Sequence, residues 1–375
     1  MLAMLSIALY AWQYWAGARF RFRNPATTTA PLPGISLLKP IGSVDDFTLK
    51  CLASWIDAGY PGDRELLLGV DATKGDDAAR LERLLATNDN ANARVIRCVG
   101  GRAANPKVSK LLELLPAARH EVLLISDADV LVESDFLIRF TGEFLQSEAA
   151  LSCCLYRLQG GSGLAQKLES SANNIEFWSQ VAQAGSMSAV DFALGAAMIL
   201  KRDALESIGG FAAFGDHIAD DFQLGNRLRR HGGTILVSSA PVDCLHSSPG
   251  ARDILQRQVR WARTMRICKP LTYFFSILSN PTLWPMVWWL AEPIAPERAG
   301  ILAGWLLLRI LLARDLARRF LESNATGGIE WLTPIRDLLH APLWIAAFTG
   351  STVSWAGRRY RLSRAGSMIP TGAKP

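Results

Sequence analysis

Between Ile35 and Leu131 the chain alternates short apolar runs with longer amphipathic stretches. The runs cover 35–38, 66–70, 95–99 and 122–125, rich in Val, Ile and Leu, which is the pattern of strands buried on both faces of a parallel sheet. The stretches between them carry apolar residues at helical spacing. Ser43 is placed to cap a helix with Leu49, Leu52 and Ile56 on one face. Asp76 and Asp77 open a second helix with Leu81, Leu84 and Leu85, and 107–115 forms a third with Val108, Leu111, Leu112 and Leu115 inward. Strand–helix alternation at this period predicts a parallel sheet with helices on both faces, a Rossmann-like nucleotide-binding half. Further on, 135–145 reads as a helix, and 151–155, 195–200 and 234–237 read as strands. Gly209-Gly210 marks a turn, and Asp220 and Asp221 stand at the head of a helix within 217–229. Residues 164–184 form a long amphipathic segment with Leu168, Ile175, Phe177, Trp178 and Val181, and 253–267 a helix dense in arginine.

The two ends of the chain follow a different pattern. Residues 2–18 are apolar apart from Ser6 and Gln13, and Arg19, Arg21 and Arg23 follow at once. A signal peptide carries its charge before the apolar run, so 1–22 reads as an N-terminal transmembrane anchor whose trailing arginines leave the next domain in the cytosol. A Pro/Thr-rich linker at 23–33 comes next. After 34–268, the apolar stretches 271–291, 299–313 and 337–356 make 269–357 a C-terminal membrane region. Three full spans would put Arg358, Arg359, Arg361 and Arg364 outside, against the positive-inside tendency. The stretch 271–291 is broken by Asn280-Pro281 and Pro285, so it is expected to be re-entrant or interfacial, leaving 358–375 as a cytosolic tail.

Composition agrees. Half of the 375 residues are hydrophobic and 20% are charged, and several of the 12 Trp cluster late in the chain, where membrane interfaces would place them. The net charge of +6 is concentrated at 19–23, 252–269 and 358–364, each beside an apolar stretch. That distribution points to a membrane surface and away from nucleic acid. The 6 Cys mostly sit in apolar runs and read as reduced core residues, and no zinc-type Cys/His spacing is present. There is no G-x-G-x-x-G and no P-loop.

Against this apolar background three acidic sites stand out: Asp71 with Asp76 and Asp77, Asp127 with Asp129, and Asp220 with Asp221. Each lies at a predicted strand end or helix head, and a parallel sheet gathers its carboxyl ends on one side, where ligands bind. Asp127 and Asp129 can share a divalent cation, and oxygen ligands suit Mg or Mn. The chemistry such a set suits is attack on a sugar carried by a nucleoside diphosphate. One acid reads the base or ribose, a metal on the Asp-x-Asp neutralises the leaving diphosphate, and a further carboxylate takes the acceptor proton. Lys107 and the Arg257–Arg260 pair could add positive charge. Taken singly, each acid is equally well a helix or turn cap, and the arginine helix an interfacial helix on anionic lipid.

The run Pro33-Gly34-Ile35-Ser36-Leu37-Leu38-Lys39-Pro40 is followed by Asn105-Pro106-Lys107-Val108-Ser109, Ser126-Asp127-Ala128-Asp129 and Ile218-Ala219-Asp220-Asp221-Phe222. Arg257-Gln258-Val259-Arg260-Trp261 and Gly357-Arg358-Arg359-Tyr360-Arg361-Leu362 complete the order. With these motifs the chain resembles the ceramide glucosyltransferases and the related bacterial hopanoid-pathway glycosyltransferases, membrane-bound inverting enzymes of the GT-A type. The resemblance implies a mixed, mostly parallel GT-A sheet flanked by helices over 34–268. It implies a UDP-sugar donor, a lipid acceptor, a divalent metal, and a catalytic domain on the cytosolic face of a membrane, the inner membrane if the source is bacterial. In the family pattern of three Asp and a (Q/R)xxRW box, the first Asp falls on Asp77 with Asp71 as neighbour, both on the donor side with Lys107. The second falls on Asp127, where Asp129 completes an Asp-x-Asp for metal. The third falls on Asp221, implied to be the base, and the box on Arg257, Arg260 and Trp261. Glucose onto ceramide is the first reading, and N-acetylglucosamine onto a bacteriohopanepolyol the second, since the full Asp-x-Asp is kept by the bacterial relatives. A processive polysaccharide synthase would carry Gln in the box, and a non-catalytic lipid-binding homologue would be expected to have lost one of these groups.

Overall fold

Helix α1 (Leu2–Arg19) precedes the predicted alternation, which the computed structural model contains strand for strand. It describes residues 1–20, 31–88, 92–159, 161, 163–188, 190–245, 250–291, 295–321, 329–355 and 357–371. The expected linker and the arginines at 21 and 23 therefore lie largely outside the described residues. The chain divides into a sheet unit (22–159, 189–247, 355–375) and a helical unit (1–21, 160–188, 248–354).

In the sheet unit, β1 (Ile35–Pro40), β2 (Arg64–Asp71), β3 (Ala93–Cys98) and β4 (Val122–Ser126) run parallel in the order β3-β2-β1-β4. They are joined by α2 (Asp46–Asp57), α3 (Gly75–Ala86) and α4 (Pro106–Leu114). Every residue of β1 and of β4 is buried, including Ser36 and Lys39 within the otherwise apolar β1. The cap of α2 is Asp45 and not the expected Ser43: its carboxylate accepts from Thr48 N at 2.7 Å. The second half of the sheet continues β4-β7-β6-β8-β5, with β5 (Val130–Leu131), β6 (Leu151–Leu158), β7 (Ala197–Lys201) and β8 (Ile235–Cys244). Here β7 is antiparallel to both β4 and β6, while β6 and β8 are parallel. Hydrophobic periodicity carries no strand direction, so the reversal at β7 was not predictable from the pattern. Helices α5 (Phe136–Ser147), α8 (Arg202–Ser207) and α9 (Asp220–Arg230) complete this half. Five of the cysteines are buried free thiols and Cys268 is half-buried.

The helical unit contains α1, α6 (Leu164–Ser171), α7 (Trp178–Met187), α10 (Ala251–Cys268), α11 (Pro270–Ser276), α12 (Leu283–Leu290), α13 (Pro296–Phe320) and α14 (Thr333–Phe348). The stretch 271–291 is split into α11 and α12 around Asn280-Pro281, as its internal prolines predict. The amphipathic segment 164–184 becomes α6 and α7 with a π-helical turn, Ala172–Phe177, between them. Among the described residues no helix is long and apolar enough to cross a membrane.

The interior of this unit holds a polar cluster among apolar side chains such as Trp178, Leu316 and Phe320. Arg309 is fully buried. It donates to both carboxylate oxygens of Asp337 at 3.0 Å, to Tyr10 Oη at 2.7 Å, and to Glu176. Arg336 meets the same Glu176 oxygen at 2.7 Å, and Gln13 donates to the other at 2.9 Å. On α1 the buried residues include Ser6, Tyr10, Gln13 and Gly17, while Met4 is 76% exposed. A buried ion pair is favourable only when its remaining hydrogen bonds are met, and the groups of this cluster satisfy one another. After β9 (Thr352–Trp355), the chain ends in a hairpin of β10 (Arg358–Leu362) and β11 (Met368–Pro370), the tail motif forming its first strand.

Candidate active site

The reversal of β7 decides where the acids meet. Because β7 runs against β4, its first residue lies beside the last of β4, Ser126 opposite Ala197. The chain leading into β7 therefore sits at the carboxyl edge of the parallel strands, and Asp127 N donates to Ala196 O at 3.1 Å. Asp127 follows β4 directly, so its carboxylate stands at the edge where a ligand would lie.

Lys107 ties this edge together. Asn105 is buried and caps α4, accepting from Lys107 N at 2.9 Å and Val108 N at 3.2 Å. Its amide donates to His217 O at 2.9 Å and toward Asp220 at 3.4 Å. Lys107, two residues on, places its ammonium 2.7 Å from an Asp127 oxygen and 3.3 Å from an Asp220 oxygen. Burial would lower the pKa of this lysine, but Asp127 and Asp220 more than reverse that and hold it above the ordinary value. Burial is also the largest influence on Asp127 and pushes its carboxyl up, against the pull of Lys107.

Asp221 has a different environment. Its own Oδ1 accepts from Phe222 N at 2.7 Å. Burial, with Asp220 adding like charge, raises its carboxyl to about 6. A carboxylate held near neutrality is suited to accept a proton. Gly195 leaves room for it: a Cβ added there would stand 3.0 Å from Asp221 Oδ2. Gly195→Ala is therefore expected to push the Asp221 carboxylate off its position. The predicted result is a kcat lowered roughly tenfold to a hundredfold, measured by steady-state kinetics.

A second lysine lies beneath the same edge. Lys39, at the end of β1, is fully buried and donates to Asp127 O at 2.8 Å and Ser126 Oγ at 3.1 Å. Its ammonium sits 4.0 Å from the Trp55 ring centre. Burial pushes it down to about 7, opposed by Cys51, Asp129 and Asp127. It holds the main chain of Asp127 from below while Lys107 holds the side chain.

Asp71 and Asp77 share none of these bonds. Asp71 closes a tight turn, accepting from Thr73 N at 2.9 Å and Thr73 Oγ1 at 2.7 Å, and these bonds hold its carboxyl below the usual value. Asp77, in the first turn of α3, accepts from Val44 N at 3.3 Å and lies 3.8 Å from Lys74. Asp71 is the last residue of β2, at the carboxyl edge of the parallel strands, whereas Asp77 lies in α3 and ties it to the segment before α2. Arg257, Arg260 and Trp261 belong to α10 of the helical unit. There Arg257 is committed to Glu169: its Nε donates to Oε1 at 2.8 Å and a terminal nitrogen to Oε2 at 2.5 Å. Gln258 joins the same carboxylate at 3.0 Å. Arg257 thus anchors α10 to α6 through a bidentate pair.

Asp127 and Asp129 offer the oxygen donors a hard divalent cation takes, and the Lys107 ammonium already rests on Asp127. Among the described residues no group of three or more His, Cys, Asp or Glu side chains is arranged to hold a metal by itself. Asp220, Lys39 and Gly195 were not assigned roles from the sequence. For Lys39 there was a signal, a charge inside an otherwise apolar strand. For Gly195 there was none.

The description "Glycosyl transferase family 21" belongs to the family model that matches residues 1–368. Ceramide glucosyltransferase 3 of Caenorhabditis elegans is 21% identical over 371 residues, covering 94% of this chain and 78% of the relative. Ceramide glucosyltransferase 1 of the same organism is 22% identical over 359 residues, covering 92% and 75%. Among solved structures, the mannosyltransferase PcManGT from Pyrobaculum calidifontis, in complex with GDP-Man and Mn2+, aligns with a TM-score of 0.51 at 18% identity. That alignment covers 93% of this chain and 98% of the other, and it concerns the fold.

Proposed function

Because the chain belongs to glycosyl transferase family 21 and is a hexosyltransferase, we propose that it moves a hexose from a UDP-sugar to a lipid hydroxyl, with UDP-glucose and ceramide the first pair. The observation that carries this reading is the junction of Asp127, Lys107 and Asp220 at the sheet edge, followed at once by Asp221. The acceptor oxygen attacks the anomeric carbon as the bond to the diphosphate breaks, and the hydroxyl proton passes to Asp221. UDP leaves with the electron pair, and the configuration inverts. Asp127 and Asp129 would hold Mg or Mn, which when bound neutralises the diphosphate. Lys107 supplies a further positive charge on the donor side, and Asp71 and Asp77 bind the nucleoside end. Arg257, Arg260 and Trp261 belong to the acceptor side, with Arg257 fixing the helix that presents the other two.

Lipid contact is part of the same proposal. Soluble domains bury apolar groups and expose charge. The helical unit, besides its apolar core, buries Arg309 and Asp337 with Glu176 half-buried beside them, and exposes Leu271, Phe275, Ile301 and Ile345. In lipid that arrangement is the favourable one, because polar groups there must find each other. α1, the re-entrant stretch of α11 and α12, α13 and α14 are the elements proposed to sit in the bilayer, with the sheet unit on the cytosolic face.

The test is expression in a host that makes both ceramide and hopanoids, followed by lipid extraction and mass spectrometry. A hexose added to ceramide is expected. N-acetylhexosamine on a polyol lipid would instead favour the second reading, which the complete Asp127–Asp129 pair supports. Absence of any glycosylated lipid with either UDP-sugar would overturn both.

A further inference from the structure

The tail motif beginning at Arg358 has no part in the chemistry above, yet the hairpin it starts is built into the segment leading to Asp220 and Asp221. β10 and β11 pair antiparallel, with Tyr360 opposite Pro370 and Leu362 opposite Met368. Tyr360, Leu362 and Met368 are buried, and Arg358, Arg359 and Arg361 are exposed. The turn is closed by Ser363 N to Ser367 O at 2.9 Å and Gly366 N to Ser363 O at 3.1 Å. Gly366 has φ 87°, which a glycine adopts without strain.

From this turn the hairpin reaches the segment 215–218. Ile218 N donates to Gly366 O at 3.1 Å, Met368 N donates to Asp216 O at 2.7 Å, and His217 and Ser367 form an antiparallel bridge. The other side of the same segment is held by the start of α4. Gly215 O accepts from Asn105 N at 3.0 Å, and His217 O accepts from the Asn105 amide at 2.9 Å. Ala104 N donates to the Asp216 side chain at 2.8 Å. Successive carbonyls of 215–217 therefore point alternately to the start of α4 and to the tail. A segment hydrogen-bonded on both sides is fixed in place, because shifting it would leave main-chain amides and carbonyls unpaired. The next residues are Ala219, Asp220 and Asp221.

We propose that the C-terminal hairpin is a positioning element for the acidic pair: by adding to 216–218 it fixes the start of α9 and with it the place of the Asp221 carboxylate. This rests on the role proposed for Asp221. The tail arginines are then the solvent face of a clamp.

The test uses the full chain in membranes. Met368→Pro removes the N–H that reaches Asp216 O, while Met368→Leu keeps it. Met368→Pro is expected to lower kcat roughly tenfold to a hundredfold and leave KM for UDP-glucose within about twofold, with Met368→Leu behaving as the parent. Hydrogen exchange at the Ile218 amide should speed up in the proline variant only. Should Met368→Pro not fold, Gly366→Val, strained at its positive φ, carries the same expected split. Parent-like kcat in a folded variant of either kind, or KM rising in step with the fall in kcat, would overturn the clamp. If the parent itself transfers no hexose, the reading of Asp221 fails separately, and the exchange rate at Ile218 still decides whether the hairpin holds the segment.

Discussion

Replacing Asp221 by Asn should lower lipid glycosylation roughly 10²–10⁴-fold, the usual contribution of a positioned general base, while UDP-sugar affinity stays near that of the parent. The base is needed as the acceptor proton moves, so its loss appears in kcat and not in ground-state binding. The same group sets the expected pH profile. Only the ionised carboxylate can take the proton, and burial beside Asp220 raises it to about 6. Activity should therefore fall as pH drops through about 6, higher than an ordinary carboxylate would give, and the residual activity of the Asn variant should lack that limb. The stability sign runs the other way. A carboxyl raised in the folded state disfavours its ionised form there, so the fold bears a cost at neutral pH that is relieved as pH falls through that value. The Asn variant should accordingly melt at the parent's temperature or above it. Near-normal turnover by this variant would remove Asp221 from the mechanism, and a sharply lower melting temperature would assign it to the fold instead.

Asp127→Ala should cost metal-dependent donor binding about a hundredfold or more, since a cation on a diphosphate is worth several kcal/mol and each 1.4 kcal/mol is about tenfold. The variant also frees Lys107 from its 2.7 Å partner and leaves it on Asp220. Calorimetry of UDP with and without Mn separates the two effects. In the parent, Mn should tighten UDP binding, and in Asp127→Ala the Mn-dependent part should vanish while a metal-independent part remains through Lys107. Unchanged UDP affinity with Mn in the variant would sink the assignment of the metal to this residue.

Much of the sheet unit was legible in the pattern of apolar positions. Four short runs became four parallel strands: β1, β2 and β4 lie inside the sheet and are buried almost throughout, while β3, predicted as buried on both faces, is the partly exposed edge strand. The acidic ends of those strands were legible as well: a charge directly after such a run must lie where the sheet meets solvent or ligand. The Asn105 cap of α4 was not among the predicted features, which began that helix at 107. The direction of β7 was not legible, and with it the approach of Gly195 and Ala196 to Asp127 and Asp221. The bond from Lys39 to the Asp127 carbonyl was hidden as well, since local spacing does not report which side chain ends beneath which neighbour.

The helical unit divides the same way. Its apolar stretches and their breaks at Asn280-Pro281 and Pro285 stand in the sequence, because helix continuity depends on local backbone chemistry. Ser6, Gln13 and Arg309 read there as exceptions in otherwise apolar runs. Only the tertiary structure made them its interior, with Gln13 on Glu176 and Arg309 on Asp337 and Tyr10. A buried charge is tolerable only beside its partner, and partners 28 and 299 residues apart in the chain can be matched only by the fold.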